Sequence, residues 1–353
     1  MRLDNINIEV ITSGDQWGKT LDAIGVYDFY HTYEYHIIEQ TEDAYPVLLK
    51  YSKGNTCIAM PFLIRKIANS DYFDATSVYG YSGPISRNIN SNFDNTFFIE
   101  KLRLFFEDNN IISVFTRLNP YIDNQKILLK NYGDIINHGK VVNIDLKLNL
   151  NIQKRNYQER LRTYINKSRR NCIVKKLESK EELKEFIDIY HNNMRRLNAD
   201  EYFYFDEDYF TALLNSDQFD AEILLVIDIR SGETVAGSLF VTTNNIVQYH
   251  LSGTRFEFSH LTPTKLLIDE MRIEATERGL QFYNLGGGIG GNSKDSLFRF
   301  KSSFSKDFKD FNTWNLIVNQ TVYNDLVKKQ GKIETSFFPE YRSNVNNLVA
   351  RAD

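Results

Sequence analysis

Residues 222–251 read EILLVIDIRSGETVAGSLFVTTNNIVQYHL, and this stretch decides the fold of the second half of the chain. Glu222 to Ile229 is an apolar run rich in strand-forming residues, and Ser231-Gly232-Glu233 after it is typical of a turn. A second run, Thr234 to Val241, leads through another turn to a third, Ile246 to Leu251. The pattern predicts three antiparallel strands joined by short turns.

A helix and a fourth strand follow in the sequence. Thr262-Pro263 indicates a helix start, because a proline in the first turn costs no hydrogen bond, and residues 267–275 carry apolar side chains at helical spacing. Gly279 predicts the end of this helix, and Leu280 to Leu285 predicts a closing strand. The predicted order is strand, strand, strand, helix, strand.

The first half of the chain repeats this order. Tyr45 to Tyr51 and Thr56 to Ile64 are strand-like runs around a short turn, and a third strand is predicted near Tyr72 to Tyr79. Residues 94–108 have apolar side chains at helical spacing, and Ile111 to Phe115 is the closing strand. The two halves share an order of elements without sharing a sequence, which indicates a structural duplication.

Composition narrows the class of protein. The 353 residues carry a net charge of -4, with 42% hydrophobic and 25% charged residues, which favours a two-domain globular protein over a general nucleic-acid binder. No apolar run is long enough for a membrane span, and the first residues lack the apolar core of a secretory signal, so we expect a cytoplasmic protein. Cys57 and Cys172 are expected to be ordinary thiols. No metal-binding or serine-hydrolase motif occurs, so no metal is expected.

One local segment is strongly basic. Residues 154–176 contain nine Lys or Arg residues and one acidic residue, Glu159. Residues 149–153, just before this segment, are uncharged and poor in apolar residues, which predicts a linker. We therefore predict domains at 1–150 and 151–330, with a C-terminal tail at 331–353.

Five short motifs occur in the order found in a known family. The chain resembles the Fem-type aminoacyltransferases and the BioF2-like acetyltransferases of the GNAT-like superfamily, and the resemblance reaches to about Tyr323. The motifs are Tyr79-Gly80-Tyr81-Ser82-Gly83-Pro84, the helix end Asn192 to Ala199, Tyr249-His250-Leu251-Ser252-Gly253, Leu285-Gly286-Gly287-Gly288, and Asp295-Ser296-Leu297-Phe298-Arg299-Phe300-Lys301.

The resemblance implies an α+β fold of two tandem GNAT-like acyltransferase domains, each a mainly antiparallel sheet flanked by helices. It also implies transfer of an acyl or aminoacyl group to an amine of a cell-envelope precursor, such as an amino sugar, a nucleotide sugar or a peptidoglycan-type peptide. No cofactor would be bound permanently. The donor would be an aminoacyl-tRNA or an acyl-CoA.

Lys301 is the predicted catalytic residue. Acyl transfer to an amine passes through a tetrahedral oxyanion, which a fixed cation can stabilise. The neighbours of Lys301, Phe300 and Phe304, suggest a lysine that leaves an otherwise apolar strand. The alternative is an edge-strand lysine that discourages aggregation. Phe300 would either stack on a ring of the substrate or belong to the core.

The glycines after the predicted closing strand form a second candidate. Gly286 to Gly291 satisfies the spacing of a dinucleotide-binding fingerprint, but the turn-forming residues 292–295 that follow do not predict the required helix. Gly286, Gly287 and Gly288 are therefore expected to line a substrate loop, where backbone approaches a ligand closely.

The resemblance suggests five more substrate-binding positions. Arg196 ends an amphipathic helix and could pair with a phosphate or simply complement the helix dipole. Tyr249 and His250 alternate along a strand, so only one of them can face a given cleft. Tyr81 follows the first glycine of its turn, and Arg117 precedes Leu118-Asn119-Pro120, where many relatives carry an acidic residue in place of Asn119.

The identity of the donor stays open at this stage. A GNAT site for the pyrophosphate of coenzyme A needs glycines before the helix that follows the third strand, and residues 255–263 contain none. This weakens a standard coenzyme A site and leaves open a charged tRNA, which residues 154–176 could bind, although an exposed basic helix explains the same charges. The alternatives are an acyl-CoA-dependent N-acyltransferase for a sugar or small amine, and a binding module without catalytic activity.

Overall fold

The computed structural model describes residues 8–288, 294–331 and 337–343. These residues form two compact units, one with residues 8–138 and the described residues from 310 onward, the other with residues 139–309. No helix among the described residues is long and apolar enough to cross a membrane. The domain limits at 150 and 330 stay a prediction, because compactness alone does not show which segments fold together.

The strands are numbered in chain order. They are β1 Ile8–Ile11, β2 Ala44–Lys53, β3 Thr56–Lys66, β4 Phe73–Thr76, β5 Ile85–Arg87, β6 Ile111–Leu118, β7 Asp134–Asp145, β8 Cys172–Lys176, β9 Asp220–Asp228, β10 Thr234–Thr243, β11 Ile246–Thr254, β12 Phe282–Gly286 and β13 Asp307–Ile317.

The α-helices are numbered in the same way. They are α1 Gly14–Ile24, α2 Tyr33–Ile38, α3 Thr96–Asp108, α4 Gln125–Leu128, α5 Leu150–Arg155, α6 Glu159–Asn171, α7 Lys180–Leu197, α8 Glu207–Leu214, α9 Pro263–Glu277, α10 Ser296–Lys301 and α11 Gln320–Gln330.

Both units use the same strand order. In the first unit, β1, β2, β3, β4, β6 and β13 are successive neighbours, and β5 pairs with β3. In the second, the order is β8, β9, β10, β11, β12 and β7. In each unit one pair of neighbours is parallel, β4 with β6 in the first and β11 with β12 in the second. The other neighbours in these two orders are antiparallel. The predicted α+β fold with a duplicated order of elements is confirmed.

The outermost strand of each set comes from elsewhere in the chain. β7 follows β6 in sequence but pairs with β12, and β13 follows β12 but pairs with β6. The last strand of the first sheet, β13, thus follows the closing strand β12 of the second unit in sequence. The last strand of the second sheet, β7, follows the closing strand β6 of the first unit.

Helices cover the sheets with apolar faces. In the second unit, α6 and α9 enclose a core that contains Leu161, Ile165, Leu267, Met271 and Tyr283. In the first unit, α3 buries Phe98, Leu102 and Phe106 against β2, β3 and β6. The helix predicted at 94–108 and the one predicted to begin at Pro263 are thereby confirmed. Thr262 does occupy the N-cap position of α9, but its side chain makes no capping hydrogen bond.

The turn before β5 is unusually crowded. Gly80 has φ +119°, and a Cβ added there would lie 1.9 Å from Cε1 of Tyr30. The Tyr30 ring is buried and packs against Phe29 with centroids 3.9 Å apart, so it has little room to move. Only glycine satisfies both the backbone conformation and the space.

We expect Gly80→Ala to lower the free energy of unfolding by about 3 kcal/mol or more, because it adds both backbone strain and a steric clash. Gly54→Ala is the matched control, since Gly54 also has a positive φ of +56° but no atom within 4 Å of an added Cβ. It should cost about 1 kcal/mol. Equal losses in urea denaturation would show that the contact with Tyr30 is unimportant.

Two histidines are buried in the first unit. His31 and His36 are both 0% exposed, and the Nε2 atom of each has no hydrogen-bond partner among the described residues. Burial lowers the pKa of His31 to about 4 and that of His36 to about 3. Both rings are therefore neutral near pH 7, whereas in the unfolded chain they titrate near pH 6.5.

Between about pH 6.5 and pH 4 the unfolded chain binds more protons at these two positions than the folded chain does. The free energy of unfolding should therefore fall as the pH falls through this window, and these groups should contribute no pH dependence above it. Urea denaturation across the range should show a smaller slope for His36→Gln than for the wild type. His260→Gln, at an exposed histidine, should keep the wild-type slope.

Candidate functional site

The glycine turn at the end of β12 is held by a buried polar side chain. The Asn284 side chain donates from Nδ2 to Oε1 of Gln248 at 2.8 Å, and its Oδ1 accepts from the backbone N–H of Gly286 at 2.9 Å. Asn284 is 1% exposed and Gln248 2% exposed, so both hydrogen bonds are protected from water. The path of the backbone after β12 is therefore fixed by the sheet itself.

This turn lies where two parallel strands separate. β11 and β12 are paired from Ile246 with Phe282 to Gln248 with Asn284, and β11 then continues to Thr254. The candidate residues Tyr249 and Gly286 each lie just past the last paired position on their strand. Two glycines of the predicted loop are constrained in different ways. Gly286 has a left-handed φ of +76°, and a Cβ added to Gly288 would lie 2.7 Å from the Cβ of Phe298. Residues 289–293 lie outside the described residues.

Lys301 lies at the end of a helix, so the strand predicted for residues 297–301 is wrong. The helix is α10, Ser296–Lys301, and the Asp295 carboxylate caps it by accepting from the backbone N–H groups of Leu297 at 2.9 Å and Phe298 at 3.0 Å. The ammonium of Lys301 donates to the carbonyl oxygen of Gly287 at 2.8 Å. The structure thus brings together Lys301 and the glycine turn, two candidates that are 14 residues apart.

Lys265 is a candidate that the sequence reasoning missed. Its ammonium lies 5.4 Å from the centre of the Phe300 ring and 5.1 Å from that of Tyr164. Phe300 is half-buried and packs edge-on against the buried Phe304, so it belongs partly to the core. Burial lowers the pKa of Lys265. A lysine in the first turn of a helix, where the dipole disfavours a cation, was the signal available in the sequence.

Tyr249 and His250 occupy opposite faces of β11. The Tyr249 ring packs near Phe240, and its hydroxyl donates to Oγ of Ser252 at 2.5 Å. Nε2 of His250 is hydrogen-bonded to the hydroxyl of Tyr209 in α8 at 2.9 Å. Burial lowers the pKa of His250 to about 3, so this imidazole is a poor proton acceptor for chemistry near neutral pH.

Arg196 lies apart from these residues, near the C-terminus of α7. Its guanidinium donates from Nη2 to Oδ1 of Asn193 at 2.9 Å and lies 5.6 Å from the centre of the exposed Phe256 ring. The helix is confirmed, and Asn198 caps it in the left-handed conformation. The arrangement matches a cation that complements a helix end, and a role in binding substrate stays a prediction.

Tyr81 and Arg117 belong to the first unit, where the structure places their backbones side by side. Ser82 donates its N–H to the carbonyl of Arg117 at 2.8 Å, and the Tyr81 ring contacts Phe311 edge-on at 5.6 Å. Asn119 donates to the buried carboxylate of Asp28 at 2.9 Å and to the carbonyl of Tyr81 at 2.8 Å. Here the amide holds the turn in place.

His138 and Phe311 lie beside Tyr81 and Arg117, and the sequence did not indicate either of them. The two rings lie 5.4 Å apart, and Nε2 of His138 is hydrogen-bonded to Oγ1 of Thr313 at 2.8 Å. Thr313 pairs directly with Arg117 across β13 and β6. Burial and the nearby Arg117 both lower the pKa of His138. Because His138 and Phe311 come from strands far apart in sequence, no local pattern indicates that they meet.

The basic segment begins with a helix, so the linker predicted at residues 149–153 is wrong. α5 starts at Leu150, with the Asn149 side chain accepting from the N–H of Ile152 at 3.0 Å. Gln153 is 2% exposed and donates from Nε2 to the carbonyl of Leu148 at 2.6 Å. A polar side chain buried through hydrogen bonds leaves no apolar signal in the sequence.

Several cations of this segment are neutralised by carboxylates. Arg169 pairs with Asp269 at 2.9 Å and with Glu270, Lys175 pairs with Glu182, and Lys176 pairs with Glu222 at 2.8 Å. At the start of the segment, a cavity of about 350 Å³ is lined by Asn151, Lys154, Arg155 and Arg162. Three cations in the second half of the segment are thus paired with carboxylates, and three near its start line the cavity.

A buried polar network holds α5, α6 and α9 together. Asp269 is 2% exposed and accepts from Nη2 of Arg272 at 2.9 Å, from the Tyr157 hydroxyl at 2.8 Å and from Nη2 of Arg169 at 2.9 Å. Arg272 also donates to Oε1 of Gln153 at 2.9 Å. Burial and the neighbouring Asp269 raise the pKa of Tyr157 well above its usual range, so the hydroxyl remains a donor.

The second unit therefore contains a fixed ammonium at a glycine turn, a second ammonium between aromatic rings, and a basic surface on the adjoining helices. Such a set can bind anionic groups and stabilise negative charge that develops on a carbonyl oxygen. Across the described residues, the structure holds no cluster of three or more metal-ligating side chains.

The overall fold is similar to that of solved structures that match most of this chain. A crystal structure of FemX superposes with a TM-score of 0.70 at 13% identity, covering 90% of this chain and 99% of that one. A conserved protein of unknown function from Bacteroides thetaiotaomicron gives 0.56 at 10% identity, with coverages of 88% and 99%. The C-terminal domain of a protein assigned as a lysylphosphatidylglycerol synthetase from Agrobacterium fabrum gives 0.54 at 13% identity, with coverages of 88% and 94%.

Sequence comparison agrees with the fold. Residues 228–326 match the model of the FemAB family, so the resemblance to Fem-type proteins is confirmed over the segment that contains Tyr249, Lys265, Gly287 and Lys301. No curated protein matches the sequence.

We expect Asp269→Asn to lower the free energy of unfolding by about 3–5 kcal/mol, because it leaves the buried guanidinium of Arg272 without its carboxylate. Glu107→Gln is the control: Glu107 pairs with Arg103 at 2.8 Å on an exposed helix face, and its loss should change the free energy of unfolding far less, because water screens this pair. Urea denaturation measures both. A small loss for Asp269→Asn would mean that the network does not hold the three helices together.

Proposed function

We propose that this protein is an acyl- or aminoacyl-transferase that moves the group from an activated donor to the amine of a cell-envelope precursor. The acceptor would be an amino sugar, a nucleotide-linked sugar or a peptidoglycan-type peptide. The observation that carries the proposal is the hydrogen bond from Lys301 to Gly287 at the end of β12, within the segment that matches the FemAB family.

The proposed reaction needs charge stabilisation more than it needs a nucleophilic side chain. The acceptor nitrogen attacks the acyl carbon, the carbonyl oxygen becomes an oxyanion, and collapse expels the donor oxygen or sulfur while the nitrogen loses a proton. Lys301 would stabilise the oxyanion, because its ammonium is already held in position by a backbone carbonyl and little reorganisation is needed. His250 is not proposed as the base, because burial lowers its pKa to about 3.

The backbone before α9 supports an aminoacyl-tRNA as the donor. A coenzyme A pyrophosphate site of the GNAT type needs backbone N–H groups that point outward at this place. Here residues Phe256–Leu261 form a 3₁₀ helix. The N–H of Phe258 donates to the carbonyl of Arg255 at 3.0 Å, that of Thr262 to the carbonyl of Ser259 at 3.0 Å, and that of Lys265 to the carbonyl of Thr262 at 3.1 Å. These donors are used within the turn itself.

The basic surface at the start of α6 offers a place for the nucleic acid. Lys154, Arg155 and Arg162 line one cavity, and no ion pair joins them to a carboxylate of the described residues. Contacts of this kind bind phosphates without reading sequence and depend strongly on salt. We propose that they hold the backbone of a charged tRNA.

We expect Lys301→Ala to lower kcat by about 100-fold or more with a smaller change in KM, because the lost cation acts mainly in the transition state. Lys301→Arg should retain part of the activity. The assay follows mass gain of a nucleotide-linked amino sugar or its peptide after incubation with aminoacyl-tRNA or with acyl-CoA.

Lys306→Ala is the matched control, since Lys306 lies five residues away and also donates to a backbone carbonyl, that of Ser302, at 2.8 Å. Its activity should equal that of the wild type. Modification by acyl-CoA alone would exclude the tRNA version and support a coenzyme A-dependent enzyme. Activity that survives in Lys301→Ala would remove the catalytic role, and transfer from neither donor to these acceptors would favour a binding module.

A further inference from the structure

Lys265 occupies an environment that is unusual for a lysine. It is half-buried in the first turn of α9, with its ammonium 5.1 Å from the Tyr164 ring centre and 5.4 Å from that of Phe300. Two ring faces attract a cation but accept no ordinary hydrogen bond from it, so they replace only part of the lost hydration. The ammonium keeps its capacity to donate to an anion.

Several lysines of this chain are paired with an acidic side chain. Lys50 pairs with Glu9 at 3.0 Å, Lys176 with Glu222 at 2.8 Å and Lys180 with Glu207 at 3.1 Å. No carboxylate of the described residues forms an ion pair with Lys265, and the only cause that lowers its pKa is burial. A half-buried cation without a carboxylate is costly, and an anion that binds beside it offsets that cost.

The helix face beside Lys265 is also basic. Arg160 and Lys167 lie four residues before and three residues after Tyr164 on α6, which places all three on one side of the helix. Lys167 donates to the carbonyl of His260 at 3.4 Å, which holds it next to the segment that leads into α9. Arg160 and Lys167 therefore share a side of α6 with Tyr164, and the ammonium of Lys265 lies at the ring of Tyr164.

We propose that Lys265, together with the rings of Tyr164 and Phe300, binds a phosphate group of the acyl donor. The proposal rests on the transferase function above and names the part of the donor that this site holds. Phe300 connects the two positions, because it contacts Lys265 through its ring and directly precedes Lys301 in α10.

Isothermal titration with inorganic pyrophosphate tests the site without requiring any acyl transfer. The wild-type chain should bind pyrophosphate, and Lys265→Gln should raise the dissociation constant about tenfold or more. Lys265→Arg, which retains the positive charge, should keep most of the affinity. Lys147→Gln is the matched control, since the Lys147 ammonium lies at the same 5.4 Å from a ring but that ring belongs to Phe282, and this variant should bind like the wild type.

Competition identifies the source of the phosphate. An RNA hairpin with a single-stranded 3′ end that displaces pyrophosphate would identify a tRNA donor, and displacement by coenzyme A alone would identify an acyl-CoA. Three results would overturn the proposal. They are displacement of pyrophosphate by neither competitor, no binding of pyrophosphate by the wild type, and equal binding by the wild type and Lys265→Gln at matched thermal stability. Failure of the proposed function would appear separately, as intact pyrophosphate binding without acyl transfer.

Discussion

The parallel hydrogen bonding between β11 and β12 ends at Gln248 and Asn284, and the candidate site depends on where it ends. Up to that point the two strands share a sheet, and beyond it each backbone follows its own path. Asn284 lies at the last paired position. Its side chain donates from Nδ2 to Gln248 and accepts at Oδ1 from the backbone N–H of Gly286. One buried amide thus joins the strands where they are still together and shapes the turn where they part.

Much of the fold was predictable because its signals are local. Turn residues around Gly232 and Asn244 separate apolar runs whose ends agree with β9, β10 and β11 to within a few residues. Pro263 and Gly279 bracket α9 because proline and glycine restrict the backbone directly. The pairing of β7 with β12 and of β13 with β6 was not predicted, because a strand of mixed polarity such as Asp134–Asp145 gives no indication of its partner.

The candidate site was predictable only in part, for a related reason. Lys301 and the glycines were recognised as short motifs, but their contact depends on α10. This helix has only six residues, and its apolar residues Leu297, Phe298 and Phe300 are too few to distinguish a helix from a strand. The Asp295 cap was the clearer signal, since an aspartate that precedes such a run satisfies the first N–H groups of a helix. Lys265 belongs to no motif, and its position in the first turn of α9 does not indicate that the rings of Tyr164 and Phe300, 136 residues apart, both lie near its ammonium.

The exchange of outer strands has a consequence for how the protein is made. During synthesis, β1 to β6 leave the ribosome early, yet the partner that protects the open edge of β6 is β13, nearly 200 residues later. Until then the edge of β6 presents unpaired backbone groups, and edges of this kind promote association between nascent chains. The half-buried Arg117 and the buried polar residues Ser113 and Thr116 interrupt the apolar residues of this strand, as expected of an edge that must wait for its partner.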